Sequence, residues 1–273
     1  MSTINVDNVL PQFPASPLIN INGAKISTNS GNVIQITTGG TAKTVTNSVI
    51  IGQNSGLNLQ TGTFNNTLIG SSSGVNITSG TQNTIIGGLC GTSIQTASYN
   101  TFLGSGAGSQ STQEGNTFIG WNAGSSAVTT QNSTCIGANA QPSASNAYSE
   151  FTLGNNNVLA LRCAVTSITS LSDARDKKEI EELPVGLEFV KGLKPVKFVW
   201  DDRNEEGKHD VADFGFIAQD LKKSQEDVEL ADTLKLVYES NPEKLEASYG
   251  KLIPILVKAI QDLNAKVELL ENK

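Results

Sequence analysis

One phrase recurs seven times between residues 47 and 154, and it limits this part of the chain to one kind of architecture. It reads NSVIIG, NTLIG, NTIIG, NTFLG, NTFIG, NSTCIG and a degraded SEFTLG. The phrases end on Gly52, Gly70, Gly87, Gly104, Gly120, Gly137 and Gly154, a return distance of 16 to 18 residues. Four residues beyond the first five stand second glycines, Gly56, Gly74, Gly91, Gly108 and Gly124, and a Thr/Ser/Gln/Asn-rich return follows each. A fixed period of this kind means stacked copies of one unit, each covering its neighbour's open face. About 17 residues suit one coil of a β-solenoid, with two short strands and two turns expected per coil. In an apolar pair such as Ile85-Ile86 or Phe118-Ile119 the side chains point to opposite faces of a strand. One member fills the coil interior; the other needs a second cover, and neighbouring chains are a natural source. Glycines at fixed offsets supply positive φ at turns, while Thr and Asn suit stacked strands and tight turns. Cys90 and Cys135 fall in a small-residue slot and an apolar slot, so both read as core residues rather than redox or metal groups. Low-complexity disorder is the competing reading of such a composition, but disordered chains do not place paired Ile, Leu and Phe on a strict period.

Charge divides the chain in two. Residues 1–171 hold three acids (Asp7, Glu114, Glu150) and three bases (Lys25, Lys43, Arg162), so the net charge of −7 lies wholly in 172–273. Glycine runs the other way, with 21 of 26 before residue 172. The expected fold is therefore an all-β solenoid shaft followed by an α+β domain. No basic patch is large enough to hold a phosphate backbone, which argues against nucleic-acid binding. No apolar run approaches membrane-spanning length, and the start, MSTINVDNVLPQF, lacks the basic and apolar regions of a signal peptide. Cys90, Cys135 and Cys163 have neither metal nor disulfide-framework spacing, and no cofactor is implied. The single histidine, His209, lies in the polar run DDRNEEGKHD and reads as a solvated loop residue.

Residues 1–46 are taken as an attachment region, with TINVDNVL and GNVIQITT as short strands around an extended PQFPASP. The shaft covers 47–160 and a linker covers 161–171. After Ser172, SDARDKKEIEEL reads as a helix stopped by Pro184. VKFVWD reads as a strand, FGFIAQDLKKS enters a helix, and LKLVYE is another strand. From Tyr249 a long helix carries Ile253, Leu256, Ile260, Leu263, Val267 and Leu270 at alternating spacings of three and four. That is the a/d seam of a coiled coil; a stripe packed on the chain's own core is the alternative.

The repeats resemble the head repeats of trimeric autotransporter adhesins and the glycine-rich repeats of phage tail fibres, which implies a trimeric β-roll shaft. The opening MSTINVDNVL is similar to that of short phage fibre proteins, which implies an N-terminus that docks on a particle. Four further segments, SDARDK, LKPVKFVW, GFIAQDL and ASYGKLIPILVKAIQDLNAKVELLE, stand in order after residue 171. Together they resemble the endosialidase-type intramolecular chaperone, a self-cleaving C-terminal module of phage tailspikes and fibres. The resemblance covers essentially all of 172–273. It implies a trimeric folding module that cuts the Leu171–Ser172 bond. Ser172 would be the nucleophile and Lys177 its partner, with Asp173 and Arg175 on the other motif positions.

From the residues alone, Ser172 and Asp173 also fit the capping of a helix. The dyad is nevertheless chemically coherent. A serine hydroxyl attacks only when a base takes its proton, and Ser-Lys pairs are one such arrangement. Arg175 and Lys178 are candidate cationic neighbours of Lys177. On a straight helix five residues rotate by about 500°, so the two side chains would diverge. Either Ser172 lies outside the helix, the favoured option, or Lys177 acts across a trimer. The resulting expectation is a homotrimeric viral tail or capsid fibre, assembled in the host cytoplasm as a precursor. Its only enzymatic act would be this one cut. Its partners would be other virion proteins at the N-terminus and a host glycan or receptor. A glycan-degrading tailspike needs two suitably placed carboxylates, and the first 171 residues offer few. Trp121 could still serve glycan binding. A bacterial trimeric adhesin would call for a signal peptide and an anchor, and neither is read here. A membrane-tethered regulator carrying the same chaperone would call for a membrane span and a DNA-binding region.

Overall fold

The computed structural model describes residues 34–36, 47–60, 62, 63, 65–164, 168–201 and 209–272. The structure stacks eight three-residue strands into a ladder in sequence order, all parallel and in register. They are β1 (Ile34–Ile36), β2 (Val49–Ile51), β3 (Thr67–Ile69), β4 (Thr84–Ile86), β5 (Thr101–Leu103), β6 (Thr117–Ile119), β7 (Thr134–Ile136) and β8 (Phe151–Leu153). This is the expected β-solenoid, with one correction. Each coil contains one strand, not two; the second half of the repeat winds through turns. Those turns still bond coil to coil, as in Gly56 N to Ser73 O and Gly91 N to Ala107 O, both 2.9 Å. The glycine-rich return favours turn backbone over a second strand. β1 pairs with β2, so the sheet reaches back into the region taken for attachment. TINVDNVL lies outside the described residues.

From β2 to β7 the middle residue of each strand points inward. Ile50, Leu68, Ile85, Phe102, Phe118 and Cys135 are buried, and the Phe102 and Phe118 rings stack with centroids 5.0 Å apart. Each such side chain contributes about 1.5–3 kcal/mol of burial. The following residue points outward, so Ile51, Ile69, Ile86, Leu103, Ile119, Ile136 and Leu153 form a half-buried to exposed apolar column. Two glycine positions show why the period is strict. At Gly104, φ is +139° and a Cβ would sit 2.3 Å from Gly120 O, in the coil above. At Gly108, φ is +57° and a Cβ would sit 2.4 Å from the Phe102 ring. No L side chain suits either place.

A second column runs beside the strands. Asn66, Asn83, Asn100 and Asn116 are buried, and each side-chain oxygen accepts the backbone N–H of the next position, at 3.0 Å in every case. Ser133 and Glu150 continue the column where asparagine is replaced.

The C-terminal region is α+β, as expected. A hairpin of β9 (Val196–Asp201) and β10 (His209–Gly215) precedes α2 (Ala218–Asp227), and α1 (Leu187–Gly192) stands before the hairpin. After α2 come α3 (Ala231–Leu234), the small pair β11 (Val237–Tyr238) with β12 (Glu246–Ala247), and α4 (Leu252–Glu271). Val185, Phe189, Leu221, Leu234, Leu236, Val237, Leu252 and Ile255 make its core. His209 is corrected from loop to strand: it opens β10, with Nδ1 3.3 Å from Asp201 Oδ1.

α4 turns one apolar stripe inward, Leu252, Ile255 and Ala259, and packs on α1. Asp262 Oδ2 accepts from Leu187 N at 3.1 Å, and Lys266 meets Glu188 at 3.0 Å. The heptad seam is a different stripe. Ile253, Leu256, Ile260, Leu263, Val267 and Leu270 are all 41–69% exposed.

Candidate functional site

The segment between shaft and α1 lies on the outside. Its described residues from Ile168 to Glu182 are exposed, and Leu171 is fully so. The helix expected over SDARDKKEIEEL does not form. A single 3₁₀ turn, Ala174–Asp176, is followed by extended chain. An isolated short helix is marginal in water, and this one would have no apolar face to bury. Glu179, at φ +53°, interrupts any continuation.

That failure to form a helix builds the site. Asp173 caps the turn: its Oδ1 accepts from Arg175 N at 2.9 Å, and its Oδ2 meets Arg175 Nη2 at 2.6 Å. These bonds to Arg175 hold the Asp173 carboxyl below its usual range and raise the guanidinium. Lys177 closes the turn through its N–H to Ala174 O at 3.2 Å, then leaves in extended geometry at φ −126°, ψ 146°. The bend folds the chain back over five residues. Lys177 Nζ comes to 2.5 Å from Ser172 Oγ and 3.3 Å from Ser172 O, all within one chain. Ser172 and Lys177 therefore meet, while Asp173 and Arg175 pair with each other beside them. The cations expected near Lys177 are both held by adjacent carboxylates, Arg175 by Asp173 and Lys178 by Glu179 at 3.8 Å.

A hydroxyl in hydrogen-bond reach of an amine, on the residue that follows an accessible peptide carbonyl, meets the geometric requirement of a nucleophile and its base. The buried cysteines have no such setting. Desolvation pushes Cys90 up to about 12 and Cys135 to about 11, and both line the solenoid core. No group of three or more metal-ligating side chains stands together among the described residues. No helix among them is long and apolar enough to cross a membrane. Sequence reasoning passed over Glu150, which bonds the Tyr238 hydroxyl across the two parts of the chain. Its signal was the acid standing where the four central repeats have asparagine and the flanking ones serine.

No curated protein and no solved structure matches the chain. Residues 172–229 match the family described as chaperone of endosialidase, and the match opens on Ser172. These residues are thus similar to an endosialidase-type chaperone, and their place behind a β-solenoid fits the architecture of a tail-fibre or tailspike protein.

Proposed function

We propose that the chain is the precursor of a homotrimeric viral fibre whose C-terminal region drives assembly and then cuts itself away between Leu171 and Ser172. The observation that carries this reading is the 2.5 Å approach of Lys177 Nζ to Ser172 Oγ beside a fully exposed Leu171. In the step proposed, neutral Lys177 takes the hydroxyl proton as Ser172 Oγ attacks the Leu171 carbonyl carbon. The Leu171 C–Ser172 N bond breaks and that nitrogen gains a proton. The ester left between Leu171 and Ser172 Oγ is hydrolysed by water, which frees the Leu171 carboxylate and restores the hydroxyl. Asp173 and Arg175 position the pair by holding the 3₁₀ turn.

Trimerisation draws its support from unfilled apolar surface. The outward column on the solenoid and the α4 seam both lack cover within one chain, and so does Phe214 of the β9–β10 hairpin. A site as exposed as this one cannot exclude water or fix an oxyanion by itself. Neighbouring chains would complete it, so cleavage would report correct assembly. The remaining shaft would be structural, held in the virion by its N-terminus and free to meet a host glycan or receptor.

Intact mass of wild type beside Ser172→Ala and Lys177→Met tests the reading. Wild type is expected to split into fragments ending at Leu171 and starting at Ser172, while both variants stay whole. A folded wild-type trimer that remains full length, or a Ser172→Ala chain that still splits, overturns it.

A further inference from the structure

The asparagine column has a direction, and its last member is different. Each side-chain oxygen accepts the backbone N–H one coil later: Asn66 from Asn83, Asn83 from Asn100, Asn100 from Asn116 and Asn116 from Ser133, each at 3.0 Å. Ser133 Oγ then accepts from Glu150 N at 3.1 Å. Glu150 still has the backbone of a rung, since its carbonyl accepts from Thr134 N at 2.8 Å. Among the described residues no coil follows β8 to supply the next N–H.

The side chain at this end is suited to collect donors from elsewhere. An asparagine amide both donates and accepts, and on the inner rungs its donor bonds a carbonyl of its own coil, as in Asn83 Nδ2 to Ala97 O at 3.0 Å. A carboxylate only accepts. The Glu150 oxygens accept from Ser143 N at 2.9 Å, from Ser143 Oγ at 2.5 Å and from the hydroxyl of Tyr238. Tyr238 belongs to β11, beyond the proposed cut. Nearby, Lys244 Nζ donates to Asn156 Oδ1 at 3.0 Å.

We infer that the C-terminal region is the end cap of the solenoid, with Tyr238 and Lys244 standing in for the coil that would come next, Glu150 receiving Tyr238 and Asn156 receiving Lys244. The partner of this surface is thus a segment of the same chain. None of these contacts passes through Leu171, so a cut there leaves the cap docked without a covalent tie. The two sides enclose an open cleft of about 1150 Å³, lined by Gln141, Phe151, Leu153, Asn241 and Glu246 among others. Contacts of this polar, solvent-facing kind are individually weak, which suits a cap that guards the open end and can still depart.

The test uses the full chain with Ser172→Ala, so that docking is read whether or not self-cleavage occurs. Hydrogen exchange is compared between this parent and the same chain carrying Tyr238→Phe and Lys244→Ala. Amides of 143–156 are expected to exchange about tenfold faster in the double variant, with coils 66–120 unchanged. Glu150→Gln, which keeps one acceptor but loses the charge, is expected to fall between. Unaltered exchange over 143–156 overturns the proposal. So does loss of protection along the whole solenoid, because a cap acts on the last coil alone.

Discussion

Asn83 bonds two coils at once. It donates its N–H and its amide to Asn66 Oδ1, and its own Oδ1 accepts from Asn100 N at 3.0 Å. Replacing it with leucine removes the acceptor of a buried N–H, at about 1–3 kcal/mol for each group left unpaired. Asn83→Leu is expected to lower the thermal midpoint of the shaft clearly below that of Asn58→Leu, whose side chain is exposed. Equal midpoints would show that the column contributes nothing. The asparagine was plain in the repeat, but its role was not. Turn propensity accounted for it locally, and its partner lies a whole coil away in sequence. The cysteines were easier, because an apolar slot in a strict period is a burial statement. The thiolate is the reactive form, and burial holds Cys90 near 12 and Cys135 near 11. At pH 8 the folded chain is therefore expected to be alkylated at exposed Cys163 alone, and at all three cysteines once unfolded, as read by mass.

α4 carries two apolar stripes displaced by one position. The seam through Ile253, Leu256 and Ile260 was legible from its spacing, but spacing could not say which stripe the chain itself covers. The answer is Leu252, Ile255 and Ala259, because α1 offers Phe189, Glu188 and the Leu187 N–H on that side. The two stripes have separable consequences. Ile255→Ala empties core volume and is expected to cost about 2–5 kcal/mol in denaturant unfolding. Ile260→Ser, on the exposed seam, is expected to lower the mass measured by sedimentation while leaving helical circular dichroism intact. A mass that does not change would remove the seam from the assembly. The SDARDKKEIEEL segment misled in the opposite way. Its residues favour helix locally, yet no face is available to bury, so capping by Asp173 yields one turn and then a bend. A spacing of five between Ser172 and Lys177 looked awkward only on the assumption of a straight helix. On the bend it brings the two groups together.

At the scale of the molecule the two parts fold by different rules. A parallel solenoid closes every pairing across a whole coil, whereas most of the C-terminal region's elements meet near neighbours in sequence. Non-local pairing is slow and leaves strand edges open meanwhile, so the shaft gains from a partner that folds first. If that partner is cut off, the shaft keeps its structure without keeping its route back. Shaft isolated after cleavage is expected to resist unfolding but fail to recover after melting, while Ser172→Ala chain regains its signal on cooling. Recovery by the cut shaft would dismiss the requirement. The division into two architectures was legible from charge and glycine alone. The join between them was not, since the contact of Glu150 with Tyr238 links residues far apart in sequence and has no local pattern. The in-register ladder has one further consequence. Every coil presents the same two edges, so each added unit of about 17 residues would lengthen the rod by about 4.8 Å and leave both ends as they were. Such a rod is measured out in whole rungs. Its reach from one end to the other is a quantity that inserting or deleting a repeat can reset without redesigning anything else.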